Sequence, residues 1–139
     1  MVQAEDPPLG YLLYRVMAVL RPEVSAALTA LSLTLPEFVC LRILSMHPGM
    51  SSAELSRHTN VTPQAMNTVL RKLEDIGAVE RPASVSSGRA LPATLTGQGR
   101  ALLKRAEAAV RTADARILSK LTGAQQREFK RMLDKLGSD

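Results

Sequence analysis

Aromatic residues are scarce in this chain, at 3% of 139, although 45% of its side chains are hydrophobic. That balance favours Leu/Ala/Val helix packing over a β-sandwich, and the length suffices for one domain with a real core or two small lobes sharing helices. A single cysteine, Cys40, rules out an internal disulfide framework and fits a reducing cytoplasm. No apolar run approaches the ~20 residues that a membrane span needs. No basic segment precedes an apolar stretch near the N-terminus, so neither a membrane partner nor a signal peptide is expected. Paired carboxylates, a Gly-rich phosphate loop and any Ser/His/Asp or Cys/His constellation are missing too, which argues against an enzyme. His47 and His58 fall on different elements without accompanying ligands, so no metal or other cofactor is expected.

What is present is an excess of positive charge, +5 overall. It is uneven: residues 1–50 carry −1, residues 51–100 carry +2 and residues 101–139 carry +4. Such a balance admits anionic partners without identifying one.

Hydrophobic spacing and capping residues divide the chain into helices. Leu9, Leu12, Leu13, Val16, Met17 and Leu20 follow the i, i+3, i+4, i+7 rule, and Val24, Leu28 and Leu31 resume it after Pro22. An interior proline removes a hydrogen bond and clashes with the preceding turn, so either one kinked helix or two abutting ones are expected. Thr34-Leu35-Pro36-Glu37, Ser51-Ser52-Ala53-Glu54 and Thr122-Gly123-Ala124-Gln125 have the spacing of capping boxes. They open an apolar helix that stops near Pro48-Gly49, a short helix ending around Asn60, and a final amphipathic helix bearing Phe129, Met132, Leu133 and Leu136. Thr96 caps a long helix rich in small alanines.

The most informative stretch runs from Val61 to Leu95. Thr62 is a good N-cap, and Pro63 fits the first helical position, where its missing N–H costs nothing. Met66, Val69, Leu70 and Leu73 then make a stripe for burial, leaving Gln64, Asn67, Thr68, Arg71 and Lys72 facing outward. Gln and Asn bond base edges bidentately, while Arg and Lys reach guanine or phosphate. Behind the helix lies a hairpin, Pro82 to Leu91 and beyond. With Ser86-Ser87-Gly88 as a three-residue loop, Gly88 takes the left-handed position, Val85 faces Arg89, and Pro82 faces Pro92. The reading is mainly α with a small β-hairpin wing: a winged helix-turn-helix that binds duplex DNA.

With that order in view, the chain resembles the MarR family of bacterial winged-helix regulators over nearly all of residues 9–136. Leu73-Glu74-Asp75-Ile76-Gly77-Ala78-Val79-Glu80-Arg81 is similar to the family's L-E-x-x-G-L-V-E-R junction, and Leu95-Thr96-Gly97-Gln98-Gly99 to its L-T-x-x-G element. Ser87-Gly88-Arg89 departs from the family's Asp-x-Arg wing element: the arginine is kept and the carboxylate is absent. The resemblance implies a homodimer held by residues 9–33 and 96–139, with residues 34–95 as the DNA-binding lobe. It further implies a repressor reading an inverted repeat and released by a small phenolic or aromatic carboxylate such as salicylate.

Each candidate residue has a plainer reading beside the functional one. Pro63 and Gln64 begin the helix and are best placed for base edges; Asn67, Thr68 and Arg71 follow, and otherwise form a solvated face. Lys72 reaches phosphate or water. Ser51 and Ser52 donate to phosphate, or Ser51 simply caps its helix, as does Thr62. Arg89 is expected in the minor groove, with Ser86 and Ser87 at phosphate; Arg81 braces the wing or touches backbone. Cys40, amid Phe38, Val39 and Leu41, reads as a buried structural thiol. Tyr14, Arg15, Arg42 and His47 are the candidates for an effector pocket, the arginines suiting a carboxylate and the tyrosine an aromatic ring. The competing function is a winged-helix module that binds another protein, against which stands the lack of aromatic anchors on the exposed face.

Overall fold

The computed structural model describes residues 6–81 and 92–138. Its elements follow the order α1 (Leu9–Thr29), α2 (Leu35–Met46), α3 (Ser52–Thr59), α4 (Pro63–Asp75), β1 (Val79–Glu80), β2 (Thr94–Leu95), α5 (Gly97–Leu118) and α6 (Gly123–Gly137). All three expected capping boxes form, so the side chains of Thr34, Ser51 and Thr122 each accept an amide while the residue three on reaches back.

Helix α1 is a single helix with Pro22 inside it, so the alternative of two abutting helices falls. The bond lost at Pro22 belonged to the Ala18 carbonyl, and both residues lie on the exposed side, so the carbonyl left without its donor is open to solvent. On the other side Val24 and Leu28 are buried, and α1 packs most extensively on α5. The helix stops sooner than its apolar spacing suggests. Leu31 lies in a turn closed by Leu33 N–H donating to the Leu28 carbonyl at 3.0 Å, with Ser32 left-handed at φ 59°.

The core gathers Cys40, Leu41 and Leu44 of α2, Leu55 of α3, Met66, Leu70 and Leu73 of α4, and Leu102, Leu103 and Ala106 of α5. Burying each of the larger side chains stabilises the fold by about 1.5–3 kcal/mol. Because Met66, Val69, Leu70 and Leu73 all face this core, the opposite side of α4 is fixed outward.

The two strands pair antiparallel, Val79 with Leu95 and Glu80 with Thr94. This is the register that pairing Val85 with Arg89 demands, counted back residue by residue. The loop itself, with Ser86, Ser87 and Arg89, lies outside the described residues. A contact not read from the sequence widens the ribbon: Ala93 N–H donates to the Met50 carbonyl and Gly49 N–H to the Ala93 carbonyl, both at 2.9 Å. Gly49, at φ +90°, turns the chain after α2 so that this can happen.

Below the ribbon, α5 begins against the end of α4. Thr96 Oγ1 donates to the Gly77 carbonyl at 2.5 Å and accepts the Gly99 amide at 3.0 Å, while Thr96 N–H donates to the Ala78 carbonyl at 3.0 Å. A Cβ on Gly99 would stand 1.9 Å from that same Ala78 oxygen. Helix propensity alone would make Gly99→Ala stabilising by about 1 kcal/mol. The backbone clash reverses the sign: we expect a loss of about 3 kcal/mol in unfolding free energy by urea titration, as for an overpacked core.

Candidate nucleic-acid interface

Helix α4 is held at its start by Thr62, whose Oγ1 accepts the Ala65 amide at 3.1 Å, with Pro63 in the first turn. Its N-terminal amides and positive dipole end therefore face solvent beside Gln64. Gln64, Asn67, Thr68 and Arg71 are all exposed, and their spacing sets them on one face. Thr68 Oγ1 donates to the Gln64 carbonyl at 3.2 Å, which turns its hydroxyl back toward the helix. Arg71 forms no ion pair among the described residues.

Lys72 does not face outward with them. Its ammonium donates to Glu37 Oε1 at 2.8 Å and to the Ser32 carbonyl at 2.7 Å, folding back over the end of α1 and the start of α2. The reason is electrostatic: the Glu37 side chain is only 8% exposed, and a carboxylate so placed needs a counter-charge. Glu37 was legible as a capping residue but not as this partner, because no local spacing links positions 35 residues apart.

Arg81 is a brace. Its Nε and Nη2 both donate to Glu74 Oε1, at 3.0 and 2.6 Å, fastening the end of β1 to the last turn of α4. Ser51 acts as a cap, its Oγ accepting the Glu54 amide at 3.2 Å, with Ser52 partly exposed beside it.

The four effector candidates do not converge on one pocket. Arg15 lines a groove of about 360 Å³ between α1 and α5 with Leu12, Val16, Val19, Ile117 and Lys120. Its guanidinium lies 5.9 Å from the ring centre of Tyr11, whereas Tyr14 is 72% exposed. Arg42 is paired with Glu107 of α5 at 2.5 Å. His47 lies elsewhere, its ring 6.2 Å from that of His58, in a hollow bordered by Glu54, Arg57 and Asp134. The fold thus brings together two histidines that the sequence keeps apart. No group of three metal-ligating side chains forms among the described residues.

With this geometry in hand, comparison with known proteins is decisive. The MarR family model matches residues 33–91. The HTH-type transcriptional repressor Rv2887 of Mycobacterium tuberculosis is 80% identical over 136 residues, covering 98% of each chain. The chain belongs to the MarR family. Among solved structures, that of the M. tuberculosis MarR family protein Rv2887 in complex with DNA matches with a TM-score of 0.83 at 75% identity, over 96% of this chain and 100% of that one. Rv2887 in complex with salicylic acid matches with a TM-score of 0.79 at 80% identity, over 95% of this chain and 98% of the other.

The MarR motifs now have physical content in this chain. The junction supplies Glu74 and Arg81 for the brace and Gly77, left-handed at φ +79°, for the turn between them. The element after the wing supplies the Thr96 cap and the glycine that lets α5 touch Ala78.

Cys40 is buried in this MarR fold, and desolvation, reinforced by Glu37, pushes its thiol from 9.0 up to about 12. The folded state therefore keeps the proton that an unfolded chain loses above pH 9, so stability falls as pH rises from there toward 12. We expect the native protein to resist iodoacetamide at pH 8 and to react promptly once denatured, as read by intact mass.

Proposed function

We propose that this chain is a transcriptional repressor that binds duplex DNA as a homodimer and is released by a salicylate-like aromatic carboxylate. It is a regulator, not an enzyme. The observation that carries the reading is the outward face of α4, where Gln64, Asn67, Thr68 and Arg71 stand clear of solvent-excluding neighbours on a helix locked by its own buried stripe. The DNA complex of the Rv2887 relative supports it. Gln64 and Asn67 take base edges, Pro63 and Arg71 flank them, and Thr62, Thr68, Ser51 and Ser52 lie toward the phosphates. Arg89 enters the minor groove, with Ser86 and Ser87 at the neighbouring backbone. The protein works in the cytoplasm; no helix among the described residues is long and apolar enough to cross a membrane.

We assign dimerisation to residues 9–33 and 96–139 and DNA binding to residues 34–95. In the single chain Leu9, Leu12, Leu13, Val16 and Val19 of α1, and Met132, Leu133 and Leu136 of α6, are exposed. Exposed apolar side chains in that number along two helices call for a partner. The salicylic acid complex of the Rv2887 relative supports an aromatic carboxylate effector, and the α1–α5 groove is lined by two cations, Arg15 and Lys120, together with apolar side chains. Such an effector acts only by binding more tightly to a lobe spacing that misfits the DNA.

Selection from a random duplex pool tests the reading. The expected product is an inverted repeat with half-site centres ~10 bp apart, and failure to enrich any sequence sinks it. Gln64→Ala and Asn67→Ala should each cost about 1–3 kcal/mol of binding at one base position and relax the preference there. Sodium salicylate should weaken the complex in fluorescence anisotropy, and Arg15→Ala should raise the concentration needed about tenfold, the effect of losing one charge-assisted contact.

A further inference from the structure

We propose that Lys72 is a positioning residue for DNA recognition: it clamps α4 to the α1–α2 turn and sets the angle at which Gln64, Asn67 and Arg71 meet the bases. This rests on the DNA-binding reading and adds a part that the exposed face does not contain. Helix α4 packs on α2, α3 and β1 and has no extensive packing on α1. Among the described residues, Lys72 makes the only side-chain hydrogen bond from α4 to the segment between α1 and α2, at the Ser32 carbonyl, and its second bond goes to Glu37 in the first turn of α2.

Both ends of the clamp are fixed. Ser32, whose carbonyl takes one bond, is held left-handed in the closed turn after α1. Glu37 Oε1, which takes the other, also accepts the Thr34 amide at 2.9 Å, so the carboxylate cannot swing without breaking the cap of α2. Each residue of a helix is rotated by about 100° from the last. On that count Lys72 stands about 100° from Arg71 and about 80° from Gln64, at the edge of the face on the side of Thr68. Reaching a phosphate would strip the nearly buried Glu37 of its counter-charge. Lys72 thus acts through the backbone of the reader helix, and the turn that carries α1 into the DNA-binding lobe is rigidly tied to that helix.

The test compares wild type, Lys72→Met, Glu37→Gln and the double variant on the selected duplex and on scrambled DNA across a salt series. Glu37→Gln is the safeguard for folding, since glutamine also serves the capping box. The clamp predicts that both single variants lose tenfold or more of the operator-to-scrambled ratio. Binding to scrambled DNA and its salt slope should stay as in wild type, and the double variant should be no worse than Lys72→Met.

A phosphate contact predicts otherwise: Lys72→Met flattens the slope by about 0.9 per contact, and Glu37→Gln, by releasing the ammonium, tightens binding. Either result overturns the proposal. So does an equal fall on both DNAs, the mark of simple loss of folded protein, and so does an unchanged ratio in both variants. A wild type that discriminates no duplex overturns the repressor reading and the clamp together; a discriminating wild type with indifferent variants overturns the clamp alone.

Discussion

The structure depends on one close approach, that of the first turn of α5 to the Ala78 carbonyl. Three parts of the molecule meet there: the end of the reader helix, the root of the ribbon and the start of the longest helix. Backbone can come so near backbone only because Gly99 has no side chain and Gly77 tolerates a left-handed turn. Thr96 then uses one hydroxyl twice, as donor to Gly77 and acceptor from Gly99, so that no buried polar group in the junction is left without a partner. Any loosening at this point would tilt α4, the ribbon and α5 together.

Around that junction the lobe is tied by charge at two places. Glu74 and Arg81 close the C-terminal end of α4 onto β1, and Lys72 with Glu37 closes its flank onto the turn after α1. A third pair, Arg42 with Glu107, links α2 to α5. Each pairs residues on different elements and is partly shielded from solvent on at least one side. They are therefore screened less by salt than the exposed Glu128–Arg131 pair within α6. The reader helix is held by packing from beneath and by ion pairs at its edge.

Local physics made most of the fold legible. Capping boxes at Thr34, Ser51 and Thr122, and the buried stripe of α4, depend on residues within one or two turns, and sequence spacing reports them directly. Strand register was readable as well: the pairing expected from a three-residue loop, counted back, is the one seen between Val79 and Leu95. What escaped was long-range. The partnership of Lys72 with Glu37, the meeting of His47 with His58, and the addition of Met50 to the ribbon through Ala93 join positions that no short pattern connects. Arg42 shows the same limit from the other side: a cation suited to an effector is occupied by Glu107 once α5 arrives beside it. Pro22 is a different case, where exposure of the lost hydrogen bond allowed one helix to run on.

The apolar surfaces of α1 and α6 have a consequence in mass action. A chain that leaves Leu9, Val19 and Leu136 more than half exposed when alone draws part of its stability from association. Its folding free energy is then not a property of the sequence alone but of the sequence at a given concentration. Occupancy of a two-fold site by such a chain rises more steeply than in proportion to the amount present. A repressor built this way would lose its grip on DNA abruptly when its supply falls, with no ligand involved.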